Sequence, residues 1–315
     1  MPPVPRARPS ASTAASGDDD PSINGAEPEV GQPDQPNRSP ARKAPKSLAS
    51  VATWRVDPGQ AAELAKIDAG STPEAPGDRA TTEKASAELI IRLAALQNRL
   101  RAEEQRSVLL VLQAMDAGGK DGTVKSVFNG VNPMGMQVSS FNVPNDDELA
   151  HDFLWRIHQR TPARGFIGIF NRSHYEDVLA VRVRKLAPEK VWRQRYGLIN
   201  HFERSLTEAG TSVVKVMLHI SLEEQAQRLQ ERIDDPTKRW KFRLGDLEDR
   251  KLWPDYQRAY EDALTETSTE HAPWFVVPAN RKWYRNWAVL TILVDFLERI
   301  DPKFPERPDL DGVRV

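Results

Sequence analysis

The chain has 315 residues, no cysteine, and 44 basic against 45 acidic side chains. Without cysteine there is no disulfide scaffold, thiol nucleophile or thiolate-bound metal, and a net charge of −1 argues against a general nucleic-acid coat. No apolar run reaches the length of a membrane span, and no apolar h-region follows Arg6 and Arg8, so no secretory signal is expected. The expectation is a cytoplasmic, globular protein.

Residues 1–48 hold ten of the 24 prolines, and no aromatic residue precedes Trp54. Such a stretch buries too little apolar surface to offset its ordering entropy, which predicts a disordered tail. Residues 49–106 read as a lead-in and a helix. Trp54 to Thr72 shows only weak periodicity, whereas Leu89, Leu93, Leu96 and Leu100 predict an amphipathic helix over 83–105.

The run from Val108 to Leu112 predicts a buried strand over 107–113. It stops at the turn Ala117-Gly118-Gly119, and Lys120 and a helix over about 119–131 follow. Further strands are predicted over 137–141, 166–170, 212–220 and 274–277. Helices are expected from Asn145, over 189–209, from the capping box Ser221-Leu222-Glu223-Glu224, and over 253–265 and 282–300. Alternation of strands and helices implies an α/β fold with a mainly parallel five-stranded sheet covered on both faces. The expected architecture is a three-layer, P-loop kinase-like core over 107–300, with a helical lid at about 232–252 and a C-terminal tail over 301–315.

A strand, a glycine turn, a lysine and a helix N-terminus form a phosphate cradle. Backbone N–H groups point at an anion, the helix dipole favours it, and the lysine reaches its outer oxygens. The standard G-x-x-x-x-G-K-[ST] pattern is met only in part: Gly119 and Lys120 fit, but Ala114 and Asp121 stand where Gly and Ser or Thr belong. Thr123 offers a hydroxyl two residues late. Asp116 inside the loop would repel a polyanion unless a divalent cation sits between them, so it reads as a metal or catalytic residue as well as a turn former.

Ligands of parallel α/β folds gather at the C-terminal ends of strands. The strand Phe166–Phe170 ends in Asn171-Arg172-Ser173-His174-Tyr175-Glu176-Asp177, where Arg172 would neutralise transferring phosphoryl charge and Glu176 or Asp177 would hold a metal or its waters. Arg182 lies on a Val/Arg-alternating segment that reads equally as a solvated face. Pro236 to Arg243 carries Lys238, Arg239, Lys241 and Arg243 without an acid, the composition of a lid closing over phosphates.

With these residues placed, the chain resembles the polyphosphate kinase 2 family, and within it the polyphosphate:nucleotide phosphotransferases acting on AMP and ADP. The resemblance rests on LLVLQAMDAGGKDGTVKSVFNGVNPMGMQVSSF, DFLWRIHQRTPARGFIGIFNRSHYEDVLAVRV, DDPTKRWKF and TSTEHAPWFVVPANRKWYRN, and covers about residues 50–300. Asn171 follows that subgroup, and Gly118 stands where the family pattern points to Ala or Ser, a departure expected to matter little. The resemblance implies in-line transfer of a terminal phosphoryl group from inorganic polyphosphate to a nucleoside mono- or diphosphate. Mg²⁺, with Mn²⁺ as a substitute, would be the cofactor, and the assembly a homo-oligomer, with neither nucleic acid nor membrane as partner. By match to the family motif, Asp116, Lys120, Asn171 and Arg172 would be catalytic. Gly118, Gly119, Lys120, Thr123, Arg182, Arg232, Lys238, Arg239 and Lys241 would bind phosphates, and Asp116, Glu176 and Asp177 would hold the metal. Two other readings remain: an ATP-dependent nucleotide or small-molecule kinase, and a non-catalytic binder of polyphosphate or RNA.

Overall fold

The computed structural model describes residues 48–314. The proline-rich tail expected over 1–48 lies, apart from its last residue, outside them. In chain order the elements are β1 (Arg55–Val56), α1 (Arg79–Glu103), β2 (Ser107–Ala114), α2 (Lys120–Val127), β3 (Met136–Ser140), α3 (Asp146–Leu149), α4 (Trp155–His158), β4 (Ile167–Asn171), α5 (Ala180–Val183), α6 (Glu189–Glu208), β5 (Thr211–His219), α7 (Leu222–Asp234), α8 (Gly245–Lys251), α9 (Trp253–Thr267), β6 (Trp274–Pro278) and α10 (Lys282–Ile300).

The sheet runs β1-β6-β5-β2-β4-β3 and is parallel except for β1. Six strands are present instead of five. The extra one is a two-residue antiparallel pairing, Arg55 with Phe275 and Val56 with Trp274, too short to leave a period in the sequence. All eight residues of β2 and all five of β6 are buried, as expected of strands covered on both faces. Helices α1, α2 and α10 pack together on one side; α5, α6 and α9 form the other layer.

Boundaries shift for local reasons. Helix α1 starts earlier than its leucine spacing suggests, because Asp78 caps it by accepting from Thr81 N. Helix α2 ends by Val127, and Gly130 downstream takes a left-handed φ of +94°. The Val/Arg segment at 180–185, which reads equally as a solvated face, contains the short helix α5.

Residues 64–73 strap across the C-terminal ends of β5 and β6. His219 Nε2 faces Ile67 O (3.2 Å), Asn280 N donates to Ala69 O (3.1 Å), and Arg281 Nε donates to Gly70 O (2.9 Å). Tyr284 OH donates to Pro73 O (2.7 Å) and accepts from Trp54 Nε1 (2.8 Å). Trp54 packs edge-on against Trp287 with centroids 5.6 Å apart. The strap covers the β5–β6 end of the sheet beside the junction of β2 and β4.

Candidate active site

Leu112 of β2 pairs with Asn171 of β4 in parallel register. The loops that leave these two strands therefore emerge side by side at the C-terminal edge. The first turns through Ala117, at φ +62°, and Gly119, at φ +96°, into α2. A Cβ on Gly119 would lie 2.2 Å from Arg285 Nη1, and one on Gly118 would lie 2.4 Å from Ala114 Cβ and 2.8 Å from Met115 O. A side chain at Gly118 would force this loop to shift, so the departure from Ala or Ser, expected to matter little, has a steric consequence here.

Lys120 Nζ donates to Ala114 O at 3.0 Å. Burial and Arg172 push its pKa down, against the pull of Asp116, Glu176 and Asp121. Arg172, in a left-handed conformation at φ +64°, directs Nη2 to Asp116 Oδ1 (3.3 Å). Partial burial works against its charge, but Glu176 and Asp116, with smaller contributions from Tyr260 and Tyr256, hold its pKa above the usual range. A non-glycine residue held at positive φ costs of order 1–3 kcal/mol and persists where its surroundings demand it.

Those surroundings are a buried polar network. Lys215, Glu203, His174 and Tyr175 are each fully buried. Lys215 Nζ donates to Glu203 Oε2 (2.6 Å), Thr267 O (2.6 Å) and Tyr175 OH (2.9 Å). Glu203 Oε1 accepts from Tyr175 OH (2.8 Å) and faces His174 Nε2 (3.2 Å). Burial lowers the pKa of Lys215 and outweighs Glu203; burial likewise lowers that of His174. The network fixes residues 174 and 175, and with them the chain that presents Arg172.

Asp121, which the sequence marks only as a departure from Ser or Thr, joins three segments. Its Oδ1 accepts from Asn171 Nδ2 (2.8 Å) and its Oδ2 from Lys241 Nζ (3.2 Å). Partial burial raises its pKa, but those two hydrogen bonds prevail and leave it below the ordinary carboxyl range. Lys241 thus brings the 235–245 segment to the loop. Lys238 is paired instead with Asp235 (2.7 Å), Arg239 Nε donates to Ile233 O (2.6 Å), and Arg232 lies 3.7 Å from Asp246.

Three further expected residues are engaged elsewhere. Thr123 is fully buried and its hydroxyl donates to Gly119 O (3.1 Å). Arg182 pairs with Asp262 (2.6 Å) and stacks over Trp192, facing α6 and α9. Asp177, expected on the metal side, pairs with Arg195 (2.9 Å). Its burial, against the pull of Arg195 and Arg156, pushes its carboxyl up to about 6. Among the described residues no group of three His, Asp or Glu side chains is arranged to hold a metal. Mg²⁺ commonly takes one or two protein carboxylates and completes its shell with water and phosphate oxygens, a requirement that Asp116 and Glu176 fit.

Sequence reasoning missed the back of the loop. Gln225 Nε2 donates to Asp116 O (3.0 Å), and Arg228 donates to Ala117 O (3.1 Å), Ala279 O (2.6 Å) and Asn280 O (3.1 Å). The available signal was Gln225 and Arg228 on the same face of α7 as Leu229, polar groups where an apolar stripe belongs. Arg285, buried in the first turn of α10, leaves no such trace.

A parallel α/β sheet whose adjacent strand ends converge Lys120, Arg172, Lys241 and a helix N-terminus, with carboxylates among them, has the chemistry to hold phosphates. The polyphosphate kinase 2 family model matches residues 77–305, and the chain belongs to that family. It is 56% identical over 253 residues to an AMP/ADP-polyphosphate phosphotransferase of Meiothermus ruber, covering 80% of this chain and 95% of the relative. It is 46% identical to an ADP-polyphosphate phosphotransferase of Rhodopseudomonas palustris, over 68% of this chain and 78% of that one. The fold superposes on a crystal structure of polyphosphate kinase 2 from Arthrobacter aurescens TC1 with a TM-score of 0.79 and 45% identity, covering 84% of this chain and 93% of that chain.

Proposed function

We propose that this protein transfers the terminal phosphoryl group of inorganic polyphosphate to AMP and ADP. The observation that supports it most is the meeting of Lys120, Arg172 and Lys241 around the β2–α2 loop in a chain of this family. The acceptor is an ionised phosphate, so no strong general base is needed; positioning and charge neutralisation carry the reaction.

In this reading Lys120 and the N–H groups at the start of α2 hold the donor phosphates. Arg172, on its rigid support, stabilises charge on the group in flight, an effect strengthened where water is excluded. Asp116 keeps Arg172 oriented, and Asn171 holds Asp121 beside the loop. Lys241, with Lys238 and Arg239 nearby on the same segment, takes the distal part of the chain. Mg²⁺, or Mn²⁺ in its place, is proposed at Asp116 and Glu176, where it would neutralise phosphate charge. A homo-oligomer is proposed on the family likeness, and sedimentation would test it.

The experiment offers AMP, ADP, GMP and GDP separately with Mg²⁺ and polyphosphate and separates the products by chromatography. Formation of ADP from AMP and of ATP from ADP is expected. Phosphorylation only when a nucleoside triphosphate replaces polyphosphate would overturn the donor assignment.

A further inference from the structure

Arg285 is 3% exposed, and its guanidinium lies against the β2–α2 loop. A Cβ built on Gly119 would meet its Nη1 at 2.2 Å, and one on Gly122 its Nη2 at 3.6 Å. Nε and Nη2 both donate to the adjacent Asn286 Oδ1, at 3.1 and 2.8 Å. Among the described residues no carboxylate pairs with it, and Nη1 finds no acceptor.

The contrast with its neighbour is informative. Arg228 Nη1 would be 3.4 Å from the same hypothetical Gly119 Cβ. Yet Arg228 is fully spent, on Glu224 (2.7 Å) and three backbone carbonyls. It is a strut joining the loop to the end of β6. Arg285 has no such employment. Burial, reinforced by Arg228, lowers its pKa to about 10, the mark of a cation lacking its counter-charge. A buried cation without a counter-charge is among the costlier arrangements in a protein, and this one sits at the N-terminus of an eight-residue helix whose dipole also favours an anion.

We propose that the missing counter-charge is the ligand: Arg285 is a further phosphate-binding residue, whose Nη1 and the α2 N-terminus together take one phosphoryl group of an inorganic polyphosphate chain. This rests on the polyphosphate reading above. It also gives the fork geometry of guanidinium, matched to phosphate oxygens, a use that Asn286 alone does not supply.

The test titrates tripolyphosphate, without nucleotide, into the wild-type protein, Arg285→Met and Arg285→Lys by calorimetry. Thermal midpoints are recorded with and without the same anion. Arg285→Met is expected to weaken tripolyphosphate binding about 10- to 100-fold, the factor a charge-assisted hydrogen bond supplies. Its ligand-free midpoint should stay level or rise, because an uncompensated buried charge has been removed. Arg285→Lys should fall between, keeping charge but losing the fork. Undiminished affinity in Arg285→Met overturns the proposal. So does a lowered ligand-free midpoint in both variants, which would make Arg285 a structural residue. Should Arg285→Met fail to fold, Arg285→Lys decides: weaker binding at an unchanged midpoint supports the proposal, and unchanged binding overturns it. Absence of binding by the wild-type protein would instead remove the polyphosphate reading, and this proposal with it.

Discussion

Lys241 Nζ and Asp121 Oδ2 lie 3.2 Å apart, and the second oxygen of that carboxylate accepts from Asn171. One acidic side chain thus ties the 235–245 segment to α2 and to the end of β4. The same carboxylate competes with phosphate for Lys241. Both partners are substantially exposed, and such pairs contribute about 0–1 kcal/mol. Asp121→Asn is therefore expected to leave the thermal midpoint nearly unchanged and to lower the KM for polyphosphate by about 2- to 5-fold, the equivalent of that energy. A KM raised tenfold would show that Asp121 serves the bound state instead.

Lys120→Ala and Asp116→Asn should each reduce kcat by at least about 100-fold, as removal of a preorganised charge from such a site does. Circular dichroism and the thermal midpoint should stay close to wild type, since neither side chain belongs to the buried core. Near-normal turnover in either variant would take that residue out of the mechanism.

Lys215→Met leaves Glu203 ionisable, fully buried and without its cation. Breaking such a pair costs about 3–5 kcal/mol. Denaturant titration should show that loss, and adding Glu203→Gln should restore part of it, because the two changes share one interaction. Simple additivity of the two would mean the pair is not coupled.

The Asp177 carboxyl, raised to about 6 by burial, is protonated more readily in the folded than in the unfolded chain. Its contribution to stability therefore declines as pH rises from about 4 through 6 and then levels off. Asp177→Asn removes that decline, so its stability relative to wild type should improve over this window by up to about 3 kcal/mol at full shift. Parallel stability curves for the two proteins from pH 4 to 7 would contradict the assignment.

Much of this architecture is legible in the chain because buried parallel strands are apolar without alternation. Val108–Leu112 and Phe166–Phe170 announce both strands that carry the site, and Gly119-Lys120 marks the turn between strand and helix. What escapes is whatever depends on tertiary closure. Arg285 reaches the loop from a helix more than 150 residues downstream, and no local pattern distinguishes it from a surface arginine. Arg182 and Asp177 look like their neighbours in sequence yet face Asp262 and Arg195, a matter of which way a short helix turns. The two-residue β1 has no period to read.

The match to the family model begins at residue 77, yet the strap before it holds the entry and the opening turn of α10: Ala69 O accepts from Asn280 N, Gly70 O from Arg281 Nε, and Pro73 O from Tyr284 OH. That turn bears Arg285. The contacts that brace the last helix thus begin before the residues that the family model matches. A protein trimmed to residue 77 would keep every expected catalytic side chain and lose the hydrogen bonds that tie the chain to the start of the last helix.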